Sequence, residues 1–346
     1  MATTGSAIIA IKKGVTWGTA VALNSAGRGM YLRDTGNLVA IPEQLIDKSI
    51  GRIWPECVTQ GKRQVDLTLV GDLRFDSPLW EMIALCIGDD DNAALGGGEY
   101  VHTMYVQNTA AGLFHTLCVY DGSVVREIAS FKVSGFTIKG SAAGIIELTI
   151  RGIGNNVVDT GQVNTTLGSV TITTNCLPVP FNVETYINAQ GGDALDSGDL
   201  VQASEFEFSF DRNLTPDFTT NGTLFETAEP YEVGQPKTSL KLLFPKTPIT
   251  NYTTGLQDLA NGTLRKAQLI IYGQDTGVSN PYSITIQFPS LLVETVESPL
   301  QGDNQQIPQT ITFMGLHTAT APTGMSTIFN PFRLLLLNLN SVAYDT

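Results

Sequence analysis

Positive charge is scarce in this chain. Its 346 residues hold 20 Lys and Arg against 33 Asp and Glu, a formal net charge of −13, and only 15% of all residues are charged. Tight nucleic-acid binding is driven by Lys and Arg neutralising phosphates, so a binder of that kind is excluded. The deficit is uneven: residues 1–162 carry 13 bases and 16 acids, whereas residues 163–346 carry 7 and 17. Long apolar runs are missing too. Leu79–Ile87 and Phe332–Leu337 fall well short of the ~20 residues that a bilayer requires, which argues against membrane insertion. No secretory pattern opens the chain, because its apolar stretch precedes the basic pair Lys12 and Lys13. The four cysteines, Cys57, Cys86, Cys118 and Cys176, are widely spaced and form no CxxC. They read as reduced residues of a protein made inside a cell.

Catalytic patterns are equally thin. Only three histidines exist. His115 and Cys118 lie three apart, which on a strand puts them on opposite faces and rules out a nucleophile–base pair. His102 and His317 have no partner at ligand spacing. Asp89–Asn92 reads as a solvated loop rather than a calcium loop, and no GxSxG, HExxH, GxxxxGK[ST] or EF-hand pattern occurs. Glu205 and Glu207 share a strand face, as paired carboxylates do in glycosidases, but the aromatics of that strand point the other way. No catalytic residue, cofactor or metal ligand is assigned, and an enzyme is not expected.

What is present is alternation with period two. Glu205–Asp211 sets three phenylalanines against acids and serine, and Val65–Leu69, Ile146–Arg151 and Tyr282–Phe288 repeat the pattern. Such runs are half-buried antiparallel strands. Turn signals at Asp121-Gly122, Gly96–Gly98, Asn221-Gly222 and Gln274–Asn280 separate them. One helix is predicted over Leu79–Ile87, capped by Ser77, opened by Pro78 and closed by Gly88, and apolar nearly all round. The fold class is mainly β.

The halves repeat an order of features. Lys62–Leu69 corresponds to Lys237–Phe244, the helix at Leu79 to a shorter one near Leu256, and Leu148–Ile153 to Ile311–Leu316, with a strand–turn–strand between helix and last strand each time. This collinearity predicts a tandem duplication: an N-terminal arm over 1–30, one domain over 31–160, a second over 161–320 and a C-terminal arm over 321–346. The apolar Phe332–Leu337 run either completes a sheet or docks on another subunit.

Five segments carry a family resemblance. Lys12–Ala20 (KKGVTWGTA) resembles the start of many long-tailed bacteriophage tail tube proteins. Arg63–Gly71, the helix after it and the strand Ile146–Gly154 follow in the order of that fold, and Ala203–Leu214 resembles the strand leading into its second copy. The resemblance is to a siphovirus-type major tail tube protein with a duplicated tail-tube domain. It implies that each domain is a β-sandwich or barrel with one flanking helix, and that the chain forms a homotrimeric ring with pseudo-sixfold symmetry. Such rings stack into a virion tail tube that holds the tape-measure protein, conducts double-stranded DNA without tight binding and meets tail-end proteins. It further implies synthesis in the host bacterial cytoplasm. Under this reading Ser130, Lys132, Ser134, Ser283, Thr285 and Gln287 are candidate lumen positions, and Val15, Trp17, Phe332, Leu334 and Leu336 candidate contacts of inter-subunit arms. A mixed lumen wall is expected, with acids, Ser, Thr and Gln and with any Lys or Arg paired. The alternatives are a capsid-decorating or carbohydrate-binding β-module and, further off, a β-rich glycoside hydrolase.

Overall fold

The structure, a computed structural model, describes residues 8–24, 27–31, 44–46, 58–172, 179–218, 226–245, 252, 255–298 and 308–345. Cys57 and Cys176 lie outside the described residues. The first half holds β1 (Ile8–Lys13), β2 (Arg28–Tyr31), β3 (Gln44–Ile46), β4 (Val58–Gln60), β5 (Val65–Asp72), α1 (Leu79–Ile87), β6 (Asp91–Gly96), β7 (Glu99–Tyr105), β8 (His115–Tyr120), β9 (Val125–Ser141) and β10 (Glu147–Gly154). A short β11 (Thr171–Ile172) follows. The second half holds β12 (Val183–Ala189), β13 (Leu200–Val201), β14 (Glu205–Asp211), β15 (Leu214–Asp217), β16 (Ala228–Glu232), β17 (Lys237–Phe244), α2 (Gly255–Asn261), β18 (Leu264–Asp275), β19 (Pro281–Glu297) and β20 (Gln309–Gly315), and β21 (Arg333–Asn338) closes the chain. The protein is mainly β.

Strand pairing runs in the same order in both halves. In the first it is β2–β1–β8–β9–β10–β5, antiparallel throughout. In the second it is β13–β12–β18–β19–β20–β17, again antiparallel. A small separate hairpin precedes β5 in one half (β3–β4) and β17 in the other (β15–β16). The 17-residue strands β9 and β19 are the pivots: the first part of each pairs with the preceding strand of its half and the last part with the following one.

Two strands fuse the halves into one sheet. β14 inserts between β9 and β17, so Phe208 lies opposite both Ile138 and Leu240. The approach is tight. A Cβ added at Gly135 would sit 2.5 Å from the carbonyl oxygen of Phe210, so only glycine fits at that point of β9. β21 inserts between β19 and β7, with Leu335 opposite Thr285 and Thr103. Period two holds as predicted along Glu205–Asp211, where Phe206, Phe208 and Phe210 are buried and the residues between them face outward. The aromatic centre is shared by both halves. Phe332 meets Phe208 at 5.0 Å and Phe210 at 5.2 Å, edge to face, and Phe136 meets Phe208 at 5.6 Å.

Helix α1 forms where its end signals stand. The Ser77 hydroxyl accepts the Leu79 amide at 3.1 Å, and Gly88, at φ +102°, donates its amide to the Ala84 carbonyl. Between these ends every residue except Glu81 is buried. Both terminal stretches contribute strands to the main sheet. β1 and β2 lie in the main sheet, and β21 lies between strands of both halves. Its apolar run reads as continuous because a strand paired on both edges has little open surface.

Candidate functional site

Among the described residues, two surfaces are distinctive: a broad polar sheet face and the seam between the halves. The polar face belongs to the section β5–β10–β9–β14–β17–β20. Alternation sends Leu67, Leu69, Leu148, Ile150, Ile138, Phe208, Leu240, Leu242, Ile311 and Phe313 inward, which leaves the intervening residues on the opposite face. Register then places these residues in rows. One row reads Asp72, Glu147, Lys139, Glu207, Lys241, Thr312 across the six strands. The next reads Val70, Thr149, Thr137, Ser209, Ser239, Met314, and a third runs Thr68, Arg151, Gly135, Asp211, Lys237. From Glu147 onward acids and bases alternate along the first row, and some make ion pairs: Lys139 with Glu147 at 3.4 Å and Arg151 with Asp211 at 3.8 Å. The two glutamates that invited a glycosidase reading therefore stand on an open strand face, Glu207 directly between Lys139 and Lys241.

The seam is held by buried polar contacts. Arg212, directly after β14, is fully buried. Its guanidinium donates to the carbonyl oxygens of Cys86, Ile87 and Gln107 and to the Glu232 carboxylate. A second-half cation thus closes the C-terminal end of the first-half helix, where backbone carbonyls lack partners and the helix dipole favours positive charge. The β15–β16 hairpin continues the contact. Glu229 accepts from the Gly112 amide and pairs with Lys132, Glu232 accepts from the Ala110 amide, and the Trp17 indole N–H donates to the Thr227 carbonyl at 2.9 Å. At another point Glu99 accepts from the Thr276 hydroxyl, the Ser279 and Asn280 amides and the Asn280 side chain. These four donors hold its carboxyl at about 2, well below the usual range.

The predicted lumen positions are not one surface. Ser130 is fully buried and its hydroxyl accepts the Gly18 amide. Lys132 is buried against Glu229. In this chain Ser130 meets the N-terminal segment and Lys132 meets the second half at the seam: a polar side chain on a strand is buried when its partner arrives from a distant part of the chain. Ser134 is half-buried, and its carbonyl accepts the Arg212 amide. Ser283, Thr285 and Gln287 lie on the first part of β19 between β18 and β21, away from the charge-alternating rows. Among the arm candidates, Phe332, Leu334 and Leu336 lie in the core of this chain, each 0% exposed. Trp17 packs edge-to-face on Phe114 at 5.2 Å, and Val15 is exposed.

Of the groups weighed for chemistry, His115 is buried, which pushes its pKa down to about 3, and burial holds the Cys86 thiol up at about 12 and the Cys118 thiol higher still. Neither thiol is activated. Among the described residues no group of three or more His, Cys, Asp or Glu is placed to hold a metal ion, and no helix is long and apolar enough to cross a membrane.

A sheet carried across two halves of like pairing order, with a polar face of mixed charge, defines a mainly β-protein. Comparison with known families gives the particular class: residues 5–315 match the family model of phage tail tube proteins, and the chain belongs to that family. It is therefore a structural subunit that self-assembles into the tube of a phage tail. The match ends at Gly315, the last residue of β20, so β21 lies beyond it. A search of curated proteins found no match.

Proposed function

We propose that this chain is the major tube subunit of a siphovirus-type tail, with two tandem tail-tube-like domains per chain and three chains per ring. Rings stack into the conduit that holds the tape-measure protein, passes double-stranded DNA and ends at other tail proteins. The role is non-enzymatic, and the protein is made in the cytoplasm of the host bacterium. The observation that carries this reading is the repeated pairing order together with β14. Inside one chain β14 extends the first half's sheet into the second by edge pairing. Among the described strands, β5 at one end of that section pairs only with β10, and residues 293–297 of β19 at the other end pair only with β20. Two open edges at opposite ends suit head-to-tail continuation, which closes as a ring and removes the exposed edges. Three two-domain chains give six like units.

The polar rows, rather than Ser130 or Lys132, are then the lumen wall. Phosphate is not gripped by a wall whose bases stand beside acids, because counterion release requires free cations. The Thr149, Thr137, Ser209, Ser239 row adds a neutral hydroxylated belt.

Negative-stain imaging of the concentrated purified protein tests the reading. Threefold rings and tubes with a stain-filled channel are expected. A protein that stays monomeric at every concentration, or that forms solid fibres, refutes it.

A further inference from the structure

The segment after β21, residues 339–345, lies beyond the family match and forms neither strand nor helix. Tyr344 is its one buried residue. Apolar burial therefore does little to hold this strap, and polar contacts must. They converge on His102 of β7, which is fully buried. Its Nδ1 lies 2.8 Å from Asp90 Oδ2, and its Nε2 lies 3.0 Å from the Asn340 carbonyl oxygen. The same Asp90 oxygen accepts the Tyr344 amide at 2.6 Å, and the Tyr344 ring rests against the imidazole with centroids 4.5 Å apart.

Both imidazole nitrogens thus face acceptors. An ionised carboxylate and a carbonyl have no proton to give, and a neutral imidazole has a single N–H. Only the doubly protonated ring serves both contacts, and its charge also compensates the buried Asp90 carboxylate. Deprotonation leaves a lone pair facing an oxygen and Asp90 without its cation, so the contact is present at low pH and lost as pH rises.

Other charged groups surround this pair. Tyr344 and Asp345 approach from the strap, Arg28 of β2 lies over the Tyr344 ring at 5.5 Å, and Lys13 of β1 donates to the Asp345 carbonyl. Asp89 and Asp91 flank Asp90 in the chain. On the strands beside β7, the residues opposite His102 are Asn92 and Leu336, which do not titrate. Burial pushes the Tyr344 hydroxyl up to about 12, so it stays neutral near pH 7. Burial also raises the Asp345 carboxyl, and it holds Glu81, in the adjoining groove, at about 7.

We propose that His102 is a protonation latch for residues 339–345, and that loss of its proton frees the strap. The strap lines a groove of about 1120 Å³ together with Lys13, Arg28 and Glu81. Its release opens that groove and uncovers two cations of an otherwise acidic protein.

Two measurements on the full chain test the latch. With histidine isotope-labelled at its ring nitrogens, NMR reads the protonation of each ring, and His102→Gln assigns the His102 signals. At about pH 5, the acid end of the histidine range, both His102 nitrogens are expected to carry protons. His115, whose pKa burial lowers to about 3, is expected to be neutral there. A neutral His102 at that pH overturns the proposal. The second measurement is hydrogen exchange at the Tyr344 amide, divided by the intrinsic rate at each pH. Between about pH 5 and 8 the wild type is expected to lose protection by about tenfold or more, as befits a lost charge-assisted hydrogen bond. Glu81→Gln and Asp345→Asn are expected to keep that slope, and His102→Gln to show little protection throughout. Flat protection in the wild type, a slope abolished by Glu81→Gln or Asp345→Asn, or a wild-type slope in His102→Gln overturns the proposal. The wild-type slope decides on its own where His102→Gln fails to fold.

Discussion

At the scale of single residues, the molecule depends on a few buried polar groups whose partners come from the other half. Arg212 is the clearest case. Its charge is matched by Glu232 at 2.8 Å, and three further donors go to carbonyl oxygens. Arg212→Met strands those acceptors, and a loss of about 3–5 kcal/mol of unfolding free energy is expected, the range for breaking a buried pair from one side. Arg212→Lys keeps the charge but not the planar fork, and it should fall between Met and wild type in a urea melt. Glu99 makes a pH prediction. Its folded pKa, about 2, lies below the ordinary carboxylate value, so its stabilisation is complete above pH ~4.5 and is lost as pH falls toward 2. Hydrogen exchange at the Ser279 and Asn280 amides should accelerate across that window in the wild type. In Glu99→Gln it should already be fast at neutral pH. Neither residue was legible in the sequence. Arg212 follows an alternating strand like any surface cation, and its carbonyl acceptors lie 105 to 126 positions away. Lys132 was visible as a polar strand residue, but not the Glu229 that buries it.

Elements were more readable where their signals are local. The helix announces itself through Ser77, Pro78 and Gly88, and β14 through its phenylalanine alternation, because both depend on neighbours within a few residues. The C-terminal strand was not readable as an interior element. Leu334 to Leu337 are apolar on both faces, which fits an exposed sticky arm as well as a strand paired on both edges; only the pairing with β19 and β7 decides. The consequence is measurable. Leu334→Ala or Leu336→Ala should each cost about 2–5 kcal/mol, as for large-to-small changes in a packed core. Deleting residues 327–346 should lower and broaden the thermal transition of the whole protein. Unchanged melting with loss of tubes alone would return this segment to the role of an arm. The polar face behaves as an element too. Its two central lysines, Lys139 and Lys241, flank Glu207 in one row, so Glu207→Lys would place three cations side by side on adjacent strands. That variant is expected to retain DNA on a filter-binding assay of assembled tubes, with retention falling as salt rises; equal retention by wild-type and variant tubes would contradict this.

For the molecule as a whole, the sequence conveyed which elements recur but not how they join. Alternation tells which face of a strand is buried and is silent on which strand lies beside it, so the placement of β14 between β9 and β17 had to come from the structure. That placement makes the two halves one continuous sheet and gives the polar rows their length. It also moves the proposed lumen from the hairpin positions to the face bearing Glu147, Lys139, Thr149, Ser209, Glu207 and Lys241. The most direct test is a cryo-electron microscopy map of assembled tubes. The account predicts a threefold ring in which this face lines a central channel of mixed, near-neutral potential. A channel lined by a different face, a continuously positive wall, or an assembly with no channel would contradict it.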